Sequence, residues 1–177
     1  MLISETNLKG VLLFGPNVHS DGRGFFKEIF HAERYREAGI TGEFVQDNYS
    51  KSKKGVLRGL HYQVTKAQGK LVSCMRGAIL DVVADVNPAS PTFGKYYSAE
   101  LSEKNHLQLW VPPGYAHGFC VISDDAEVTY KCTEYYDPSS ERGIIWNDDT
   151  LSIDWPVKDP TISPKDNEWP SLLNSEL

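Results

Sequence analysis

The chain is broken into short apolar or alternating runs. They include GVLLFG, FFKEIF, EFVQDNYS, VLRGLHYQ, KLVSCMRGAILDVVADV, KYYSAEL, HLQLWVP, HGFCVIS, EVTYKCTEYY and GIIW, separated by Gly, Pro, Asn and Asp signals. Such punctuation is the pattern of an all-β sandwich or barrel, and the runs are numerous enough to close a jelly roll. One segment departs from it. HAERYREAGI, with charges placed around Ala32, Tyr35 and Ala38 and with Gly39 as a stop, reads as a short helix. After Trp146 the chain turns rich in Asp, Pro and Ser, which predicts turns and a brief helix near ISPKDNEW. No repeat, low-complexity segment or linker divides the sequence, so residues 1–177 read as a single domain. That length is enough to bury a core without disulfide or metal staples.

Charge and cysteine usage narrow the function classes. A formal net charge of -6 argues against a general nucleic-acid or acidic-membrane surface, so an anionic ligand has to meet a small local cluster of cations. Cys74, Cys120 and Cys132 are odd in number and lack CxxC spacing, which predicts reduced thiols in a cytoplasmic protein. The N-terminal MLISETNLKGVLLFG has neither a basic n-region nor a long apolar span, so secretion and membrane insertion are not expected.

One strand carries the wrong residues for a plain core. LRGLHYQ places Arg58 and His61 inside a run that otherwise reads as buried, and Lys70 follows across a turn in QGKLVSC. Cations are rarely buried without anionic partners, so this cluster suggests a bound anion. Arg58 and His61 are an odd number of positions apart, and a regular strand sends them to opposite faces. Gly59 is a plausible bulge that would restore a common face. Gly55 with His61, and PPGYAH with Pro112, Gly114 and His117, resemble the two half-motifs of a cupin barrel. Metal-binding cupins carry HxH at the first motif. Here the sequence is HYQ with Gln63 in the second place, so no catalytic metal and no cofactor are expected.

Three further positions admit two readings each. Along EVTYKCTEYY, alternation puts Val128, Tyr130 and Cys132 on one face, so Tyr130 is either an ordinary packed tyrosine or a phenol facing an imidazole across a cavity. ISPKD reads as Ser163 N-cap, Pro164 at N1 and Asp166 closing a capping box, or else Asp166 serves catalysis. In HSDGRGFFKEIF, Asp21-Gly-Arg23-Gly is a surface hairpin, or a turn whose arginine grips a diphosphate while an adjacent aromatic stacks on a base.

Taken together, DGRGFF, QDNYS, GVLRGLHYQ, QGKLVSCMRGAILDVVADV, PPGYAHGF, VTYKCTEYYDP and SPKD closely resemble the dTDP-4-dehydrorhamnose 3,5-epimerase family, in order from about Thr6 to Asp166. The resemblance implies a metal-free, cupin-type jelly-roll homodimer acting on a dTDP-4-keto-6-deoxyhexose in L-rhamnose synthesis. It implies His61 as general base, Asp166 as the carboxylate that orients it, Tyr130 as the acid on the opposite face and Lys70 beside the ketone oxygen. By the same resemblance Arg23, Phe26, Glu28, Gln46, Asp47, Asn48, Arg58, His117, Glu141 and Lys165 line the sugar-nucleotide site, Asp47 through its backbone more than its charge. Asp81 and Asp85, on one face of ILDVVADV, are alternative partners for His61. Relatives that epimerise only one carbon, a metal-dependent cupin and a non-enzymatic sugar-binding cupin are the competing expectations.

Overall fold

Alternation decides which side chains meet inside the molecule. The computed structural model describes residues 1–177. Its first sheet has six strands in the order β1 (Leu2–Glu5), β2 (Leu12–Gly15), β10 (Gln108–Val111), β7 (Lys70–Arg76), β12 (Asp125–Cys132) and β5 (Gln46–Lys53). The second has five, β13 (Glu141–Gly143), β6 (Leu57–Gln63), β11 (Tyr115–Val121), β8 (Ala78–Asp85) and β9 (Tyr96–Ser102). A separate hairpin pairs β3 (Val18–Asp21) with β4 (Gly24–Lys27). Every ladder between these strands is antiparallel.

The two large sheets pack face to face as a jelly-roll sandwich. Val72, Cys74, Leu109 and Val128 from the first meet Ile79, Val83, Phe119 and Val121 from the second in one buried cluster. The opposite face of the second sheet, with Leu60, Tyr62, Val82 and Ala84, is covered by Ile144, Leu151 and Leu172 of the C-terminal segment. Outside the first sheet, Phe14, Leu71 and Trp110 pack under Tyr35, carried by the helix α1 (Ala32–Glu37), and Ile40. The Tyr35 hydroxyl donates to Gln108 Oε1 at 2.5 Å, and burial pushes its phenol up to about 12. Gly39 ends the helix at φ +104, as its place in the sequence predicts.

Several boundaries differ from the sequence expectation. Gly77, at φ +72, splits KLVSCMRGAILDVVADV into β7 and β8. GIIW is strand only at Gly143, the last residue of β13; the pairing begins two residues earlier, at Glu141. ISPKDNEW forms turns rather than a helix. Ser163 Oγ does accept the Asp166 N–H at 3.1 Å, but Pro170 lacks an N–H and drives Trp169 toward extended geometry, so the capped turn does not propagate. Only Leu172–Asn174 beyond it makes a turn of 3-10 helix.

The bulge expected at Gly59 is present. On β11, His117 pairs with His61 and Phe119 with Arg58, so three steps along β6 oppose two along β11. Gly59 sits at φ +125, and a Cβ there would lie 2.5 Å from Gly118 Cα and 2.9 Å from the His117 carbonyl oxygen. The two glycines thus let the backbones touch, and Arg58 and His61 open on one cavity.

Candidate active site

A cavity of about 600 Å³ opens between the sheets at the β6 bulge. From the second sheet come Arg58, His61 and His117; from the first come Lys70 and Tyr130. Glu141, Lys165 and Asp166 close its rim. A larger groove of about 830 Å³ lies between Asn7, the Asn87–Thr92 loop and Tyr115. Its buried carboxylate, Asp85, is fully engaged by the loop itself, accepting from Asn87 N at 3.0 Å and Thr92 Oγ1 at 2.6 Å and also from Ser90. The smaller cavity therefore holds the free chemistry.

His61 Nε2 lies 2.6 Å from Asp166 Oδ1. The carboxylate also accepts the Gly59 amide at 3.3 Å and the Trp169 indole N–H at 3.4 Å, and Asp166 is 5 % exposed. Burial works to raise this carboxyl; the hydrogen bond and charge of His61, with the other two donors, outweigh it and hold the group below the usual carboxylate range. An ionised Asp166 takes the proton of Nε2, which leaves Nδ1 of His61 with a lone pair and no protein partner. Of the alternative partners, Asp81 pairs instead with His117, Oδ1 to Nε2 at 2.8 Å, and Asp85 holds its loop. Asp166 gives its amide to the Ser163 cap, but its carboxylate does not close the capping box expected from ISPKD; it orients the imidazole instead.

Tyr130 faces this pair from the other sheet, and its hydroxyl bonds no protein group. Burial pushes the phenol up, so it keeps its proton at neutral pH. Lys70 is opposite Cys132 in the β7–β12 ladder, and no carboxylate makes an ion pair with it. Burial pushes its ammonium down, opposed by the charges of Cys132, Glu141 and Asp81. At the rim, Lys165 pairs with Glu141, whose Oε2 also accepts the Tyr136 hydroxyl at 2.6 Å. Arg58 Nε donates to Ser52 Oγ at 3.2 Å.

The remaining expected residues are not brought into this cavity by their own chain. Gln46 and Asn48 share the inward face of β5 and bond each other at 3.1 Å; Gln46 Oε1 takes the Tyr136 N–H at 3.0 Å and Asn48 reaches Cys132 Sγ at 3.5 Å. They brace the wall rather than line it. Asp47, one position out of phase, points away and pairs with Lys131 at 2.9 Å. Arg23 is bound to Asp21 at 2.5 Å with its side chain 91 % exposed, Phe26 is 72 % exposed, and Glu28 pairs with Arg34. The β3–β4 hairpin carries them out from the body because it pairs with neither large sheet.

Two site residues escaped sequence reasoning, Tyr136 and Trp169. The spacing of Trp169, three after Asp166 in a capped turn, was the available signal; Tyr136, lying beyond the end of β12, offered none. Gln63, where a metal-binding cupin has histidine, donates to the Lys66 carbonyl at 2.7 Å and accepts the Asp137 N–H at 3.0 Å. No three His, Cys, Asp or Glu side chains converge in a metal-holding group.

With an imidazole on one sheet and a phenol and a lysine on the other, the arrangement suits proton removal from a carbon next to a carbonyl and return on the opposite face. Comparison with known proteins agrees. The family model for dTDP-4-dehydrorhamnose 3,5-epimerase matches residues 5–174. A dTDP-4-dehydrorhamnose 3,5-epimerase of Shigella flexneri is 52% identical over 168 residues, covering 94% of this chain and 93% of the relative. One from Pseudomonas aeruginosa is 48% identical over 178 residues, covering 99% and 98%. The crystal structure of dTDP-6-deoxy-D-glucose-3,5-epimerase from Legionella pneumophila Philadelphia 1, in complex with dTDP-4-keto-L-rhamnose, superposes with a TM-score of 0.95 at 48% identity, covering 98% of this chain and 93% of that one. By sequence and by fold, the chain belongs to the dTDP-4-dehydrorhamnose 3,5-epimerase family.

Proposed function

We propose that this protein converts dTDP-4-keto-6-deoxy-D-glucose to dTDP-4-keto-L-rhamnose, inverting carbons 3 and 5, in dTDP-L-rhamnose synthesis. The observation that carries the mechanism is the bare Nδ1 of His61, held by Asp166, across a cavity from the unpartnered Tyr130 hydroxyl. Carbons 3 and 5 flank the carbonyl at carbon 4. His61 removes a proton from one of them, and the electron pair moves into an enolate whose oxygen is stabilised by the Lys70 ammonium. Tyr130 then gives a proton to the other face of that carbon, because its phenol sits on the opposite sheet. Inversion follows; His61 gives its proton to solvent and the Tyr130 phenolate takes one from solvent, and a second cycle inverts the other carbon. The reaction so written moves only protons and uses no metal or cofactor.

Arg58 and Lys165 supply the positive side of the sugar-nucleotide site, with Glu141 fixing Lys165 and His117 adding a ring nitrogen to the wall. Gln46, Asp47 and Asn48 lie beyond the cavity wall, where a bound nucleotide would extend. Arg23, Phe26 and Glu28 reach a substrate only from a second copy of the chain, so we take the enzyme to be a homodimer in which each hairpin serves its partner's site. Phe25 and Phe26, 59% and 72% exposed, are the apolar surface such pairing would cover. Residues 1–177 act as one domain. Three free thiols support a reducing, cytoplasmic setting, and no helix is long and apolar enough to cross a membrane. Purified protein given dTDP-4-keto-6-deoxy-D-glucose and a chelator should yield dTDP-4-keto-L-rhamnose by NMR. A product inverted at one carbon would assign a mono-epimerase, and unchanged substrate would sink the proposal.

A further inference from the structure

The cavity holds a second imidazole–carboxylate pair that the proton transfers above do not use. His117 stands directly across from His61 in the β6–β11 ladder, and its Nε2 is bound to Asp81 on β8. Its Nδ1 bonds no protein group and is not among the sealed, unpartnered atoms of the molecule, so it too opens on the cavity. The two pairs differ in what surrounds the carboxylate. Asp166 collects three N–H groups, from His61, Gly59 and Trp169. Asp81 is 0% exposed, is bonded only at Oδ1, and its Oδ2 is buried with no donor.

That difference decides where the protons sit. A carboxylate with three donors carries its negative charge beside a neutral ring. A sealed carboxylate with an empty oxygen is costly to hold as an uncompensated charge. The titratable groups facing Asp81 and His117 are Lys70 and Cys74 on β7, His61 on β6 and Tyr130 on β12, and of all these His117 alone makes an ion-pair contact with Asp81. The pair therefore retains a second proton and carries no net charge, where His61 and Asp166 share a single proton and carry one negative charge; one of the two lies between Nε2 and Oδ1. Whichever atom it is drawn on, the ring then also carries a hydrogen on Nδ1. An imidazolium facing a carboxylate has one there, and so does a neutral ring accepting from a carboxylic acid.

The geometry points to Asp81 as a positioning residue that makes His117 Nδ1 a hydrogen-bond donor to the substrate oxyanion, beside Lys70, while His61 opposite acts as the base. This inference rests on the epimerase reading. As His61 takes the proton from carbon 3 or 5, the electron pair of the broken C–H bond ends on the carbon-4 oxygen, which the Lys70 ammonium and the His117 N–H meet together. One strand pairing thus holds two histidines of opposite function, set apart by the donors on their carboxylates.

Long-range ¹H–¹⁵N correlation spectra of histidine-labelled enzyme test this directly. In mildly alkaline buffer, above the ordinary imidazole range of about 6.5, His117 should show a proton on Nδ1, whereas His61 should show one on Nε2 alone. A bare Nδ1 on His117 overturns the inference. In Asp81→Asn the side-chain oxygen can only accept, so His117 should switch to a bare Nδ1, with kcat falling ~100-fold, the scale of one lost oxyanion donor, while KM stays within about 3-fold. Wild-type kcat together with a bare Nδ1 on His117 in that variant would also overturn it, and if the amide turns its NH2 to Nε2 or the variant does not fold, the wild-type spectrum decides. Absence of turnover in wild-type enzyme would remove the epimerase reading, while the spectrum would still decide the proton on His117.

Discussion

Replacing Gly59 by alanine strikes the one backbone contact on which both the fold and the site depend. The new Cβ would lie 2.5 Å from Gly118 Cα and 2.9 Å from the His117 carbonyl oxygen, both backbone atoms of the neighbouring strand, so β6 and β11 have to separate. Residue 59 also holds φ +125, where an L side chain is strained. The backbone strain costs ~1–3 kcal/mol and the overpacking another ~1–3 kcal/mol, so a loss of ~2–6 kcal/mol is expected against a typical total of ~5–15 kcal/mol. With a urea m-value of ~2 kcal/mol/M, the unfolding midpoint should fall by ~2 M at fixed protein concentration. Gly118→Ala isolates the steric part: its Cβ would lie 2.6 Å from the Arg58 carbonyl oxygen, but the residue is not in the left-handed region. Gly22→Ala, where a Cβ meets nothing within 4 Å, is the control and should stay within ~0.5 kcal/mol of wild type. Gly59→Ala matching that control would refute the claim that the bulge is held by backbone contact.

Other substitutions separate orientation, charge and assembly. Asp166→Asn removes the charge that fixes the His61 tautomer and should lower kcat by ~10³–10⁴-fold, measured as initial rates of product formation. The depressed folded carboxyl of Asp166 contributes stability that is complete above the ordinary carboxylate range and is lost as pH falls through the folded value. Urea midpoints of wild type and Asp166→Asn should accordingly differ by a constant amount above about pH 5 and converge below it; a gap that widens in acid would contradict the assigned pairing. Lys70→Met should abolish turnover yet raise stability by ~1 kcal/mol, because it replaces a largely buried cation that has no ion-pair partner, and a thermal melt reads this out. If the hairpin serves a partner's cavity as proposed, Phe25→Ser with Phe26→Ser should shift sedimentation toward monomer and cost activity together; a fully active monomer would break that link.

The layout of the sandwich was legible because its signals are local. Alternation along EVTYKC put Val128, Tyr130 and Cys132 on one face, and the odd spacing of Arg58 and His61 pointed to the bulge that Gly59 provides. On β5 the Asp47 side chain turns outward to Lys131, which leaves only its backbone for the role the resemblance gives it. What a single strand pattern cannot carry is which carboxylate meets which imidazole. Asp81, Asp85 and Asp166 all had a route to His61, and the C-terminal turn, anchored by Trp169 against Gly143, brought the most distant of them. The hairpin bearing Arg23 and Phe26 was legible as a hairpin, but it pairs with neither large sheet, so alternation does not set its direction. Tyr136 lies beyond the end of its strand, where alternation no longer predicts a face.

Solvent deuterium wash-in is the measurement that reaches the central claim most directly. With dTDP-4-keto-6-deoxy-D-glucose in deuterated buffer and a chelator present, NMR of wild-type reactions should show deuterium at carbons 3 and 5 together with inversion. His61→Ala should show exchange at neither carbon. Tyr130→Phe should still exchange without completing the inversion, because the base remains and the opposite-face acid is gone. Exchange surviving in His61→Ala, or full inversion surviving in Tyr130→Phe, would contradict the division of base and acid between the two sheets.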